Sequence, residues 1–419
     1  MPNELVAGYN RVLEQLAKEL DISPSKYQQA VGRFNSVKEW LDVGKYDGCV
    51  ADPRIYIQGS FRLGTVIRPL KDGKESDYDI DLVCELQARK VSCAPRNIKS
   101  DVGDRLKENE TYRKMLTPEG RRCWSINYAE EDGIGFHMDV LPSVPEGERE
   151  VGEIARMGVP QGLAESSIAI THKESDVSYD WRPSNPEGYA FWFEQAMRPA
   201  FEAMKGREKS AIFESNKRLF ATVEAVPDQL VRTPLQRVVQ ILKRHRDLRF
   251  VGHEWEGDKP ISMIITTLAA KLYRNEADVY TALHNIVEQL DEHAQLLKSA
   301  YGLREDLASL RLIGRTPDGK WNMPNPVNPA ENFADRWHEN DNRKARAFFM
   351  WVSWVKEDLI GVLGKGSLGE VNESVQRLFG GKIALLAATQ SAPAVITASR
   401  NRPEPIEIKD PPKPWRRIG

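Results

Sequence analysis

The chain has 419 residues, 41% of them hydrophobic, with 59 Lys and Arg against 61 Asp and Glu and a formal net charge of −2. This is a globular composition, and at roughly 100–200 residues per domain the length holds two or three structural units. The charge balance excludes a strongly basic nucleic-acid scavenger, and without an apolar run of ~20 residues no membrane span is expected. The amphipathic, acid-bearing start is unlike a secretory signal. Cys49, Cys84, Cys93 and Cys123 lie far apart with no CxxC. They suggest neither a disulfide framework nor a zinc site, and point to a reducing cytoplasm.

In chain order, Leu5, Tyr9, Leu13, Leu16 and Leu20 recur at helical spacing, and Ser23-Pro24 gives a cap and first-turn proline for a second helix toward Leu41. Near residue 50 the texture changes. RIYIQGS reads as a short strand, FRLGTVIRPLKDGKES as a loop, and DYDIDLVCEL as a strand with acids alternating against apolar residues until Leu82. Residues 100–116 read as helix. RRCWSINYAE and GIGFHMDVLP read as two strands joined by a turn at residues 131–133. After Pro145 the chain reads as loop-rich until about residue 184. Helices are then expected over 186–204, 234–248, 260–274, 277–298, 341–362 and 367–379. Within 341–362, Phe348, Phe349, Trp351 and Trp354 read as core packing. From Ser391 six prolines enforce an extended tail.

The chemistry starts at Asp79 and Asp81. In a strand, residues i and i+2 point to one side, so the two carboxylates project together while Tyr78, Ile80 and Leu82 face a core. Adjacent carboxylates repel, and a hard divalent cation relieves them. Upstream, Gly59-Ser60 closes the first strand; glycine permits close backbone approach to a phosphate, and the hydroxyl adds a donor. Downstream, Asp139 lies on a strand that can pair beside the first acidic one. Three carboxylates on one sheet face can hold two Mg²⁺ about 3.5–4 Å apart. His137 shares the strand face of Asp139, and Asp77 that of Asp79 and Asp81.

The ordered set QGSFRLGT, SDYDIDLV and HMDVLP resembles the polymerase-β-like nucleotidyltransferase superfamily, and more narrowly the bacterial cGAS/DncV-like nucleotidyltransferases of anti-phage defence. The spacer between Ser60 and Asp79 is longer than in the superfamily's simplest members. It leaves Asp77/Asp79 as an alternative metal pair; the apolar Leu82-Val83 that follow match the family and favour Asp79 and Asp81. PLQRVVQILKRHRDLRF and KPISMIITTLAAKLY are similar to the helical half of this family and of oligoadenylate synthases. The resemblance implies that Lys243 and Ser262 hold a donor triphosphate. Taken alone, Lys243 also suits an i,i+4 ion pair with Asp247, and Ser262 a helix cap.

The implied architecture is α+β. A polymerase-β-like lobe with a mixed sheet (46–205) joins an oligoadenylate-synthase-like helical lobe (206–390), with N-terminal helices (1–45) bracing both and a proline-rich tail (391–419). Asp79, Asp81 and Asp139 would be the catalytic metal ligands. Gln58, Gly59, Ser60 and Arg62, with Arg68 nearby, would line the phosphate end. The cofactors implied are two Mg²⁺, with Mn²⁺ as a substitute. The substrates implied are NTPs, ATP and GTP foremost, joined into a cyclic di- or trinucleotide that activates a downstream effector. The absence of a His–Cys cluster argues against activation by double-stranded DNA. Family relatives also imply a ubiquitin-transfer-like ancillary protein acting on Gly419, in which case deleting Ile418-Gly419 leaves basal synthesis intact. The alternatives are template-independent RNA tailing and a non-catalytic nucleotide- or RNA-binding relative.

Overall fold

The computed structural model describes residues 3–47, 49, 51–71, 74–75, 77–131, 134–217, 226–298, 312–362 and 368–379. The proline-rich tail and Gly419 lie outside the described residues.

Helix α1 (Asn3–Glu19) buries Tyr9, Leu13 and Leu16, the stripe that its 3.6-residue period predicts. Helix α2 (Pro24–Asp42) begins as its sequence suggests. Ser23 Oγ accepts the Lys26 amide hydrogen at 3.3 Å, and Pro24 opens the first turn. The two helices serve different cores: α1 joins the apolar cluster of the C-terminal helices, whereas Ala30, Val37 and Leu41 of α2 pack beneath the sheet.

That sheet has six strands in the order β1 (Arg54–Gln58), β4 (Tyr78–Glu85), β6 (Ile134–Pro145), β7 (Ile168–Lys173), β8 (Tyr179–Ser184), with β5 (Trp124–Glu131) also paired to β6. Strands β4 and β6 run parallel and the other pairs antiparallel, which makes the sheet mixed, as expected. One face is apolar: Tyr78, Ile80, Leu82 and Cys84 of β4 meet Phe136, Met138 and Val140 of β6 and Ile98, Val102 and Leu106 of α4 (Pro95–Glu108). Each such side chain contributes about 1.5–3 kcal/mol by burial, so the register of β4 is firmly set. Alternation stops at Leu82 because Val83 is buried too, with Leu141, Ile168 and Ile170 on the opposite face.

Two segments expected to be loop or loop-rich are ordered elements. Residues Gly59–Leu63 form a short helix, α3, and a small hairpin, β2 (Leu70–Lys71) with β3 (Lys74–Glu75), follows it. The stretch after Pro145 contains α6 (Glu148–Arg156), α7 (Gln161–Ala164) and the strands β7 and β8. Helix α5 (Glu110–Met115) continues from α4, so the single helix expected over 100–116 is two.

The remainder is helical: α8 (Pro186–Ser215), α9 (Pro234–Phe250), α10 (Ser262–Leu272), α11 (Val279–Lys298), α12 (Glu339–Val355) and α13 (Leu368–Phe379). Short strands β9 (Gly314–Arg315), β10 (Trp321–Asn322), β11 (Pro324–Asn325) and β12 (Asn328–Asn332) lie between α11 and α12. Trp351, Phe348 and Phe349 are buried and Trp354 packs against the same cluster, the core role expected of them. Helix α9 starts with a capping box between Thr233 and Gln236 and is buried along most of its length. Two of its buried ionisable side chains have carboxylate partners: Arg237 with Asp21 at 2.6 Å and His245 with Asp358 at 2.9 Å.

Helix α9 also holds the turn after α3. Gln236 Nε2 donates to the Leu63 carbonyl, Gln240 Nε2 to that of Val66 and Lys243 Nζ to that of Thr65, each at 2.9 Å. Positions 236, 240 and 243 share one helix face, so helical spacing alone delivers three donors to one loop.

Candidate active site

The polar face of the sheet carries the acids. Asp81 lies level with Asp139 across the parallel β4–β6 pair, and Asp79 lies level with His137. Asp79, Asp81 and Asp139 line one cleft of about 880 Å³. Burial first, then the charges of Asp139 and Asp79, push Asp81 up to about 7; burial also raises Asp79. From the adjacent strand, Ser125 Oγ donates to Asp139 Oδ1 at 2.5 Å. Asp77 is engaged elsewhere. Its Oδ1 accepts the Gly135 amide hydrogen at 2.7 Å, and its Oδ2 lies 3.0 Å from His137 Nε2. The His137 ring is fixed from its other side by Asn127 Oδ1 at 2.6 Å.

The same cleft brings in Gly59, Ser60, Lys243 and Ser262. Gly59 has φ +65°, and a Cβ there would collide with the Asp81 carboxylate, so this position demands glycine twice over. Lys243 is not paired with Asp247; its ammonium donates to Thr65, while Asp247 takes Arg246 at 2.6 Å and Lys259 at 3.7 Å. Burial, then the charge of Arg246, lowers Lys243 to about 8. Ser262 opens α10 without capping it; its Oγ accepts from Arg246 Nη1 at 3.0 Å.

Gln58 and Arg62 lie apart from this group. They line a second pocket of about 210 Å³ that shares Gly59, Leu63, Asp81 and Met263 with the cleft. Arg62 is ion-paired with Glu194 of α8, and Arg68 turns toward the Asp21 carbonyl at 3.3 Å. The sequence reading missed Arg246 and Lys259 on the cleft wall and Ser125 behind Asp139. Arg246 sits three residues after Lys243, hence on its helix face, and Ser125 lies opposite Asp139 in β5; both follow from periodicity once the partner element is known.

Residues 53–142, which hold all three carboxylates, match the family described as cyclic GMP-AMP synthase DncV-like, nucleotidyltransferase domain. A c-di-GMP synthase of Roseivirga ehrenbergii is 28% identical over 327 residues, covering 78% of this chain and 72% of that protein. The chain is thus similar to the bacterial DncV-like nucleotidyltransferases, and its residues 53–142 match their nucleotidyltransferase domain. Cyclic dinucleotide synthase CdnG of Bradyrhizobium diazoefficiens is 24% identical over 340 residues, 78% of this chain and 70% of that one. A solved structure of that organism's CdnG in complex with GTP has the same fold, with a TM-score of 0.63 at 19% identity over 91% of this chain and 98% of that one. The architecture is thus mixed α/β with a mixed sheet, the fold of CdnG and consistent with a polymerase-β-like one, and the protein is a nucleotidyltransferase enzyme.

The donor chemistry of this nucleotidyltransferase cleft fits a hard divalent cation: three carboxylates with a neighbouring hydroxyl. Among the described residues no three His, Cys, Asp or Glu side chains are already gathered tightly enough to hold a metal.

Proposed function

We propose that this nucleotidyltransferase joins two NTPs into a cyclic dinucleotide, a messenger for a cyclic-nucleotide-activated effector in anti-phage defence. The observation that carries the reading is the union, in one cleft, of Asp79, Asp81 and Asp139 with Gly59-Ser60 and the buried Lys243. The names of the two relatives, a c-di-GMP synthase and a cyclic dinucleotide synthase, support a two-nucleotide ring over a larger one and guanine among its bases.

Asp79 and Asp81 would hold two Mg²⁺ ions, or Mn²⁺, with Asp139 as a further ligand. When bound, the pair supplies charge neutralisation at the triphosphate and lowers the pKa of the attacking hydroxyl. Gly59 and Ser60 receive phosphate oxygens through backbone amide and hydroxyl. Lys243 and Ser262 hold the donor triphosphate, with Arg246 behind the serine. A ribose hydroxyl of one nucleotide forms a bond to the α-phosphorus of the other and releases its proton. The α–β phosphoanhydride bond breaks, and pyrophosphate leaves with the bonding pair. A second transfer in the same cleft closes the ring.

Incubating the purified chain with the four NTPs and Mg²⁺ tests this. Phosphatase-resistant small products, identified by mass spectrometry and mapped with nuclease P1, are expected. A lengthened RNA primer would instead indicate tailing, and an absence of pyrophosphate release a binding protein.

A further inference from the structure

The second pocket gives the cleft an electrostatic asymmetry. On one side of Asp81 lie the cations that suit a triphosphate: Lys243, Arg244, Arg246 and Lys259. Among the residues that line the other side, across Gly59, the one cation is Arg62, which is already matched by Glu194; the charge of Arg122 reaches Glu331 from outside that lining. That side is walled by Pro186, Tyr189, Ala190 and Met263, apolar surface against which a base could stack, with Ser184 and Asn185 beside them, and closed by Asn325 and Glu331.

Glu331 is held in place. Asn325 Nδ2 donates to Glu331 Oε2 at 2.8 Å, and the Asn325 Oδ1 in turn accepts the Val327 amide hydrogen at 3.0 Å. The other oxygen, Oε1, accepts no hydrogen bond among the described residues. An ionised carboxylate accepts about four hydrogen bonds, so Glu331 retains capacity on both oxygens while its orientation is fixed. Burial raises its pKa, against the Asn325 hydrogen bond and the charge of Arg122.

We infer that Glu331 selects guanine in this pocket, its carboxylate accepting the N1–H and the exocyclic N2–H of one substrate nucleotide. Guanine is the common base that presents two adjacent donors on its pairing edge. Adenine presents a ring-nitrogen acceptor there, which would face the carboxylate lone pairs. A site built to receive N–H groups rejects analogues that lack them far more strongly than an apolar slot can. The inference rests on the nucleotidyltransferase reading for the placement of the triphosphate and deepens it by naming the base.

The test is equilibrium binding of α,β-methylene triphosphates of guanosine, inosine and adenosine to the full chain, which avoids turnover. Inosine lacks only the 2-amino group. The wild-type protein is expected to bind the inosine compound about tenfold more weakly than the guanosine one, and the adenosine compound more weakly still. Glu331→Gln is expected to weaken guanosine binding about 10- to 100-fold, adenosine binding by less than about threefold, and to narrow the guanosine–inosine gap. Equal binding of guanosine and inosine by the wild type, which needs no variant, would overturn the assignment. So would an equal loss for all three ligands in Glu331→Gln. Guanine preference without pyrophosphate release from natural NTPs would keep this inference and sink the catalytic reading; release without any inosine penalty would do the reverse.

Discussion

Replacing Asp81 with Asn should abolish turnover and yet stabilise the metal-free protein at alkaline pH. Burial and two neighbouring carboxylates push Asp81 from an ordinary 3.8 up to about 7. In the unfolded chain it ionises near 3.8, so the fold loses stability as pH rises from that value, and the loss levels off above 7. At about 1.4 kcal/mol per pH unit, the full effect at pH 8 is roughly 4 kcal/mol. Asn is nearly isosteric and uncharged, so it removes the penalty at pH 8 and changes little at pH 4. If all 419 residues unfold together at about 2.1 cal/mol/K per residue, the gain is about 5 °C in Tm. Melting curves of both proteins at pH 4 and pH 8 in EDTA measure it. Mg²⁺ should raise the wild-type Tm more at pH 8 than at pH 5 and leave Asp81→Asn nearly unmoved. An Asn variant less stable than wild type at pH 8, or equally shifted at both pH values, would refute the account of the carboxylate trio.

Three further outcomes are expected. Gly59→Ala should cost about 1–3 kcal/mol from the positive φ, with more from the collision with Asp81, and lower kcat at least about 100-fold; denaturant titration and initial rates check both. Lys243→Met should raise the KM for NTP about 10- to 100-fold. Because Lys243 sits near 8, wild-type NTP affinity should decline as pH passes that value while the Met variant stays flat, which a binding series over pH reads directly. Asp77→Ala should keep measurable pyrophosphate release, since its carboxylate is spent on Gly135 and His137, whereas Asp81→Ala should show none; the reverse result would move the metal pair to Asp77 and Asp79.

The acids were legible in the sequence because strand alternation is a local signal. Tyr78, Ile80 and Leu82 mark one face of β4, which assigns Asp79 and Asp81 to the other before any partner strand is known. The Ser23-Pro24 helix start is local in the same way. What escaped was fixed from a distance. Helix α3 is too short for periodicity to declare it; it is bounded by left-handed glycines at 59 and 64 and tied by Gln236 of α9. Strand β7 begins with four consecutive buried residues and so does not alternate, while β8 alternates only weakly and carries Pro183 at the sheet's edge. For Lys243 the local reading offered Asp247, one turn along the helix. The actual partner is a carbonyl 178 residues earlier in the chain, and no spacing rule points there.

Under the proposed function, that same contact lets a chain with near-zero net charge bind a highly charged substrate. The cleft opposes two periodicities: carboxylates at every second residue of β4, and donors at three- and four-residue steps of α9. The donors of Gln236 and Gln240 are neutral amides directed at the backbone after α3, so they hold the turn without adding charge. Lys243 adds the charge, and an ammonium has three N–H donors. One is directed to Thr65, which leaves two for phosphate oxygens. A triphosphate therefore need not break the bond that holds the turn in order to gain the lysine. It also returns to a buried ammonium the opposite charge that burial removed, reversing the depression of its pKa. Binding and loop order then reinforce each other through one atom, and Lys243→Met should weaken both, whereas a lysine serving only as a counter-charge would affect only the first.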